Sequence, residues 1–389
     1  MTDIQIVILF NGTSNDDKDP AVTNVVKLRD GLKKDDTQFV IYRDGVGNDQ
    51  EWHWKIARYF SEITGYGGGW IMRKAYQELK STISKAISDG KIKSGDRLNI
   101  SVGGFSRGAA IARHFAIHNI QNQLACEMPQ MLENISIKLE SEYLFDTVTS
   151  FGIPINIWAL TKLGIYNQQI DPGWDFGIPE NVRAYQSLGM DEHRDAFSPL
   201  SINQHNELTQ EVWFEGDHSS VGGGHLPPKE GAVMQDANTL RYMVRRAMEN
   251  GLRFKQSFLE EHHIHATQGN PLGFIKAPLY KELPPTQRSD RKIGVLENDM
   301  PSNKPPLIAQ SAIERLHEDF EYRPANLKAL KAFDVLREDG SVESYSPKKV
   351  QKLWTSLESK VLRFSTDNSK EEKVASHEVE LRRKRMAKS

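Results

Sequence analysis

At 389 residues, with 50 basic against 52 acidic side chains and a net charge of −2, the chain is long enough to bury a large core and carries no global field that would draw it to nucleic acid or an acidic membrane. Its single cysteine, Cys126, excludes an internal disulfide and a thiolate metal cluster, as fits a reducing compartment. No run of 18 apolar residues predicts a membrane span, and Met1-Thr2-Asp3 lacks the basic start of a secretory signal, so a cytoplasmic protein is expected.

In chain order, Ile4–Phe10 is a nearly continuous apolar run, the pattern of a strand covered on both faces, and it ends in Asn11-Gly12-Thr13. Ala21–Leu32 reads as a helix and Gln38–Tyr42 as a strand. The glycines at 65 and 67–69 match no phosphate or dinucleotide fingerprint, because the lysine and the spacing are missing, and predict a loop. Ile71, Ala75, Leu79 and Ile83 repeat at helical spacing from Trp70 to Ser88, and Asp89-Gly90 supplies the stop. A strand at Leu98–Val102, a helix at Arg107–Ile120, a strand before Asp146, strands at Val182–Leu188 and Glu211–Phe214 and a helix from Gln235 to about Asn250 complete an alternation. Strands separated by helices imply an α/β fold, a mostly parallel sheet with helices on both faces. Residues 1–255 are expected to form the α/β core, 256–330 a cap or wrapping segment completing it, and 331–389 a helical extension turning near Gly340, with a charged tail that includes Arg382-Arg383-Lys384-Arg385. The apolar stretch Phe151–Tyr166 reads as a core helix or as an acyl-binding wall or lid.

Within this order, Asn99–Val102 runs into Gly103-Gly104-Phe105-Ser106-Arg107-Gly108-Ala109-Ala110, a strand entering a Gly-x-Ser-x-Gly turn and then a small-residue helix start. Such a turn holds Ser106 out above the sheet as a candidate nucleophile, and Gly104 and Gly108 are needed where a Cβ would collide with the neighbouring chain. A serine hydroxyl requires a histidine to take its proton and an acid to orient that histidine. Asp146, at the end of an apolar strand, and His218, after Trp213-Phe214 and before Gly222-Gly223-Gly224, follow in the Ser, Asp, His order of α/β-hydrolases. The Arg107 amide at the helix start and the backbone of Gly12 or Thr13 at the end of the first strand are the candidate oxyanion donors. No cofactor or metal is called for. His262-His263-Ile264-His265 reads as solvated histidines at a charged helix end rather than as a ligand set.

The blocks Phe10-Asn11-Gly12-Thr13, Thr23-Asn24-Val25, Gly45-Val46-Gly47, Gly104–Ala109, Phe145-Asp146-Thr147-Val148, Asp191-Glu192-His193-Arg194 with Phe197, and Trp213 through Gly224 resemble, in order, the signature blocks of the phospholipase effectors of bacterial type VI secretion, first lipase class. The likeness continues through Asp236, Leu240, Met243 and Gly251-Leu252 to Ser311, Arg315, Tyr322-Arg323-Pro324 and Asn326-Leu327. It implies an α/β-hydrolase with Ser106, Asp146 and His218 as catalytic triad, a glycerophospholipid substrate and phospholipase A activity. Peripheral contact with a membrane, an immunity or regulatory protein as partner and export by a signal-independent secretion system are compatible further expectations. Two positions depart from the family pattern, Asn11 and Ser220, each where the family has an aspartate. They leave open a non-catalytic, toxin- or defence-related binding module derived from the family, beside a soluble short-acyl esterase or another serine hydrolase.

Overall fold

Alternation along the first strand sets the layers of the molecule. A computed structural model describes residues 1–12, 22–44, 69–129, 132–149, 175–202, 207–224, 236–264, 290–294, 304–319 and 321–360. In β1 (Asp3–Phe10), Ile4, Ile6, Ile8 and Phe10 turn to one face and Val7 and Leu9 to the other, and all six are buried. That two-sided burial is why the run carries no polar alternation. The first face packs against α2 (Trp70–Ser88), through Ile71, Ala75, Leu79 and Ile83, and against α3 (Arg107–Phe115). The second packs against α1 (Asn24–Gly31) and, further on, α5 (Asp236–Glu249).

Among the described residues nine strands form one sheet in the order β2-β1-β3-β4-β5-β6-β7-β8-β9. β2 is Gln38–Arg43, β3 Arg97–Phe105, β4 Ser136–Phe145, β5 Arg183–Gly189 and β6 Thr209–Phe214; every pair is parallel except the last. Parallel pairing through crossovers brings the carboxyl ends of β1, β3, β4, β5 and β6 to a single edge, where an open α/β sheet places its chemistry. Among the described residues no helix is long and apolar enough to cross a membrane.

Three segments differ from expectation. The helix foreseen at Arg107–Ile120 is α-helical only to Phe115, continues as a π-helix over Ala116–Leu124 and closes at Glu127. The segment 256–330 contributes more than a cap, since Leu307–Ala309 forms β7 between β6 and β8 and is followed by α6 (Gln310–Glu318). The extension after 330 is not all helix: Phe333–Leu336 and Val342–Tyr345 pair as an antiparallel hairpin, β8–β9, and a helix follows at 347–360. The physical reason is Asp339-Gly340, a hairpin turn signal, with Gly340 at φ +85° and the Ser341 amide on the Asp339 carboxylate at 2.9 Å. Ile308, Ile313, Phe333, Val335 and Trp354 share a core cluster with Leu188 and Trp213, so the carboxyl-terminal strands extend the same layer. Thr13, Gly45-Val46-Gly47, the glycines at 65, 67 and 68, Phe151–Tyr166, His265, Leu283-Pro284-Pro285 and the charged tail lie outside the described residues.

Candidate active site

Ser106 follows the last residue of β3 and precedes the first of α3, and its backbone sits at φ 58°, ψ −126°, a region L side chains avoid. Such a conformation costs on the order of 1–3 kcal/mol and persists only when its surroundings dictate it. They do so here through the two glycines. A Cβ on Gly104 would lie 2.4 Å from the Gly108 carbonyl oxygen, and one on Gly108 would lie 2.4 Å from the carbonyl oxygens of both Phe10 and Asn11. The helix start is thereby drawn against the ends of β3 and β1. The Ser106 amide donates to the Phe145 carbonyl at 2.9 Å, which ties the turn to the end of β4.

One residue on, Asp146 also has a positive φ, 42°, and its amide donates to the Ser187 carbonyl at 2.8 Å. Its buried carboxylate meets His218 Nδ1 through Oδ2 at 2.5 Å. His218 opens α4 (His218–Gly222), a single turn whose N-cap, Asp217, accepts from the Ser220 amide at 2.7 Å. The imidazole lies 4.5 Å from the Phe105 ring and 4.8 Å from the Phe197 ring, centroid to centroid. Gly222 is required at this approach, because a Cβ there would fall 1.9 Å from the Phe105 ring. Ser106 and the Asp146–His218 pair thus lie at one sheet edge, while Asp217 caps α4 and Asp191 has partners of its own. Asp191 accepts from the Gly216 amide at 2.6 Å and from the Tyr322 hydroxyl at 2.9 Å.

Sequence reasoning missed Arg291. Its Nη1 donates to Asp146 Oδ1 at 2.6 Å and its Nη2 to Asp146 Oδ2 at 2.9 Å. Burial by itself would push the Asp146 carboxyl up. The Arg291 charge and the hydrogen bonds from His218 and Arg291 outweigh it and hold the group below the usual carboxylate range. No local pattern around Arg291-Lys292-Ile293-Gly294 marks this role, which depends on contacts made across 145 positions.

The predicted oxyanion donors are placed as follows. Arg107 and Gly108 occupy the first turn of α3, whose amides precede the intrahelical ladder. The Gly12 amide is directed at Asn11 Oδ1, 2.9 Å away, and that same oxygen accepts from the Thr23 hydroxyl at 2.7 Å. Asn11 therefore stands where its carbonyl oxygen gathers the β1 loop and the α1 cap. Ser220 binds Asp217 Oδ1 through both its amide and its hydroxyl, at 2.7 and 2.8 Å, so both departures from the family pattern are satisfied locally.

The remaining blocks brace the histidine loop. Asn24 Nδ2 donates to the carbonyls of Val221 and Asp236, each at 2.9 Å. Glu215 accepts from Asn238 at 2.9 Å and from Ser311 at 2.8 Å. Glu192 Oε2 accepts from the His218 amide at 3.3 Å. Burial pushes the Asp191 and Glu215 carboxyls up. Among the described residues no group of histidine, cysteine and acidic side chains could hold a metal ion. His262 lies against the Phe258 ring at 4.4 Å.

The family model for the type VI secretion system Tle1-like phospholipase effector catalytic domain matches residues 5–120 and 118–246. The chain belongs to this family. The match spans the elbow, Asp146 and His218, and makes the matched region a lipase-type hydrolase domain by family. A curated protein of Saccharomyces cerevisiae, the uncharacterized YEL023C, is 34% identical over 92 residues, 23% of this chain and 13% of its own. Among solved structures, an uncharacterized protein from Pseudomonas aeruginosa is 18% identical at a TM-score of 0.45, covering 67% of this chain and 48% of that one. A Tle1 effector bound to the VgrG spike of a type VI secretion system is 21% identical at a TM-score of 0.40, covering 60% of this chain and 53% of that one. The Tle1-like chain thus spans about half the length of these two solved proteins.

Proposed function

We propose that the protein is a serine hydrolase that cleaves a carboxylic ester of glycerophospholipids, a phospholipase A-type reaction, through an acyl-serine. The observation that carries the reading is the strained Ser106 elbow at the same sheet edge as an Asp146–His218 pair joined at 2.5 Å. His218 takes the Ser106 proton as Oγ attacks the ester carbonyl. Asp146 holds the Nδ1 proton and so keeps the Nε2 lone pair for the serine. The oxyanion is met by the Arg107 amide and by Gly12 or Thr13; for Gly12 this means exchanging its bond to Asn11 for one to the intermediate. Collapse breaks the ester bond, and His218 passes its proton to the departing lysophospholipid oxygen. Water, deprotonated by His218, then frees the fatty acid and restores Ser106.

Membership of a phospholipase effector family supports the substrate class. For the whole protein, delivery by a secretion spike and restraint by an immunity protein belong to the same proposal. Purified protein should be labelled at Ser106 by a fluorophosphonate and should release fatty acid from phosphatidylcholine vesicles. Turnover of short soluble esters alone would replace the phospholipase reading with a soluble esterase. Absence of both turnover and labelling would leave a binding module.

A further inference from the structure

The Arg291 guanidinium reaches three parts of the site at once. Besides its two bonds to Asp146, Nη1 donates to the Gly189 carbonyl at 2.7 Å and Nη2 to the Phe197 carbonyl at 2.6 Å. Arg291 is almost fully buried, with 3% of its side chain exposed. Its own carbonyl accepts from Asn326 Nδ2 at 3.2 Å, the same amide that holds the Met190 carbonyl at 2.7 Å.

Counting acceptors gives the consequence. Asp146 receives two bonds from Arg291, one from His218 and one from the Gly189 amide at 3.2 Å, which fills the roughly four lone-pair sites of a carboxylate. A carboxylate forked at both oxygens has no rotational freedom left, so Oδ2 presents a fixed direction to His218 Nδ1. Lysine, a point charge, could neutralise Asp146 but could not span both oxygens. The same fork fixes Phe197, whose ring meets the imidazole edge-on at 4.8 Å.

We propose that Arg291 is a positioning residue of the hydrolytic site: it locks the Asp146 carboxylate, and through Phe197 the imidazole wall, in the orientation that keeps His218 turned to Ser106. The inference rests on the triad reading above. A second effect follows from charge. The guanidinium is a positive charge bonded to the same carboxylate that His218 Nδ1 meets, so removing it leaves that carboxylate to the imidazole alone. Other charged groups near this pair among the described residues include Glu192, which accepts from the His218 amide and is paired with Arg194 at 2.7 Å, and Asp217, which caps α4; Asp191 is paired with Arg315 at 3.8 Å. Asp290, the neighbour of Arg291, is paired with His193 at 2.8 Å.

The test uses the full chain, a short soluble ester, and active sites counted by fluorophosphonate labelling. Arg291→Gln and Arg291→Lys should each lower kcat per labelled site about 10- to 100-fold, the scale of losing an outer partner of a site ligand, with KM little changed. In Arg291→Gln the acid limb of the kcat/KM profile should move to higher pH; Arg291→Lys should return the limb towards wild type without returning the rate. Asn326→Ala, a milder lever on the Arg291 backbone, should lower kcat in the same direction if loss of the guanidinium prevents folding. Unchanged kcat per labelled site with an unmoved limb in the folded Arg291 variants would overturn the positioning role, even with melting lowered, as would wild-type kcat in Asn326→Ala when neither Arg291 variant folds. Failure of the wild-type protein to label at Ser106 would instead overturn the triad reading, and this inference with it.

Discussion

The two halves of the site are built in opposite ways. The nucleophile side is one uninterrupted segment, β3 followed by α3, in which short-range sterics between Gly104, Gly108 and the end of β1 force Ser106 into its strained turn. The acid–base side is gathered from five separate places: Asp146 after β4, Gly189 at the end of β5, Phe197, His218 in α4 and Arg291. A local device is rigid because each residue sterically dictates its neighbour. A gathered one is rigid only while every hydrogen bond is made, so damage to it should appear in rate before it appears in folding.

The sharpest break of that contrast is at Ser106. Replacement by Ala should abolish fluorophosphonate labelling and lower kcat by on the order of 10⁶-fold, the cost of losing the nucleophile in a serine protease. The melting temperature should hardly move, since alanine meets the same backbone strain as serine. Equal labelling of the variant would end the proposed mechanism. On the gathered side, Asp146→Asn should cost about 10⁴-fold in kcat with KM little changed, because an amide lets His218 take the wrong tautomer. A near-normal rate would mean that the 2.5 Å contact is structural.

This division also decides what could be read from the sequence. The elbow, the strand ending at Asp146 and the block around His218 were legible because each is a short pattern at the end of an apolar strand, and the carboxyl ends of parallel strands must share an edge. The helix from Trp70 to Ser88 was legible by its period alone. Arg291 was not, since its role lies in what it touches 145 positions away. Nor were the tasks of Asn24 and Glu215, polar residues that serve as hydrogen-bond hubs only once the loops are assembled. The β8–β9 hairpin is hidden in the sequence because its strands are four residues each, too short for alternation to compete with a helical reading of the charged residues around them.

Where the halves meet, Gly222 faces Phe105, and a methyl group there cannot be absorbed without moving a ring that also contacts His218. Gly222→Ala should therefore lose about 1–3 kcal/mol of stability through overpacking, together with activity. Gly108→Ala, whose new carbon would press on backbone rather than a ring, should lose at least as much stability. Thermal melts of both variants read this directly. If Gly222→Ala melted with the wild type at full activity, the close approach of α4 to β3 would be wrong.

An effect that appears only as pH is varied compares two buried carboxyls on one stretch of chain. Asp146 has its oxygens fully partnered, whereas Glu142, four residues earlier in β4, has no hydrogen-bond partner for either oxygen among the described residues. Burial pushes the Glu142 pKa up to about 8, with the Arg113 charge only partly opposing it. Because the folded value lies above the ordinary 4.5, the unfolded chain ionises first as pH rises. Stability contributed by the neutral form is complete below the unfolded value, declines by about 1.4 kcal/mol per pH unit through the window and levels off above about 8. Asp146 works with the opposite sign: its folded value is depressed, so its contribution is present at neutral pH and is lost as pH falls through that value. Glu142→Gln, which mimics the neutral acid, should therefore leave the melting temperature nearly unchanged at acid pH and raise it by a few degrees at mildly alkaline pH. A gain independent of pH would show that Glu142 finds a partner for its charge and that the contrast with Asp146 does not hold.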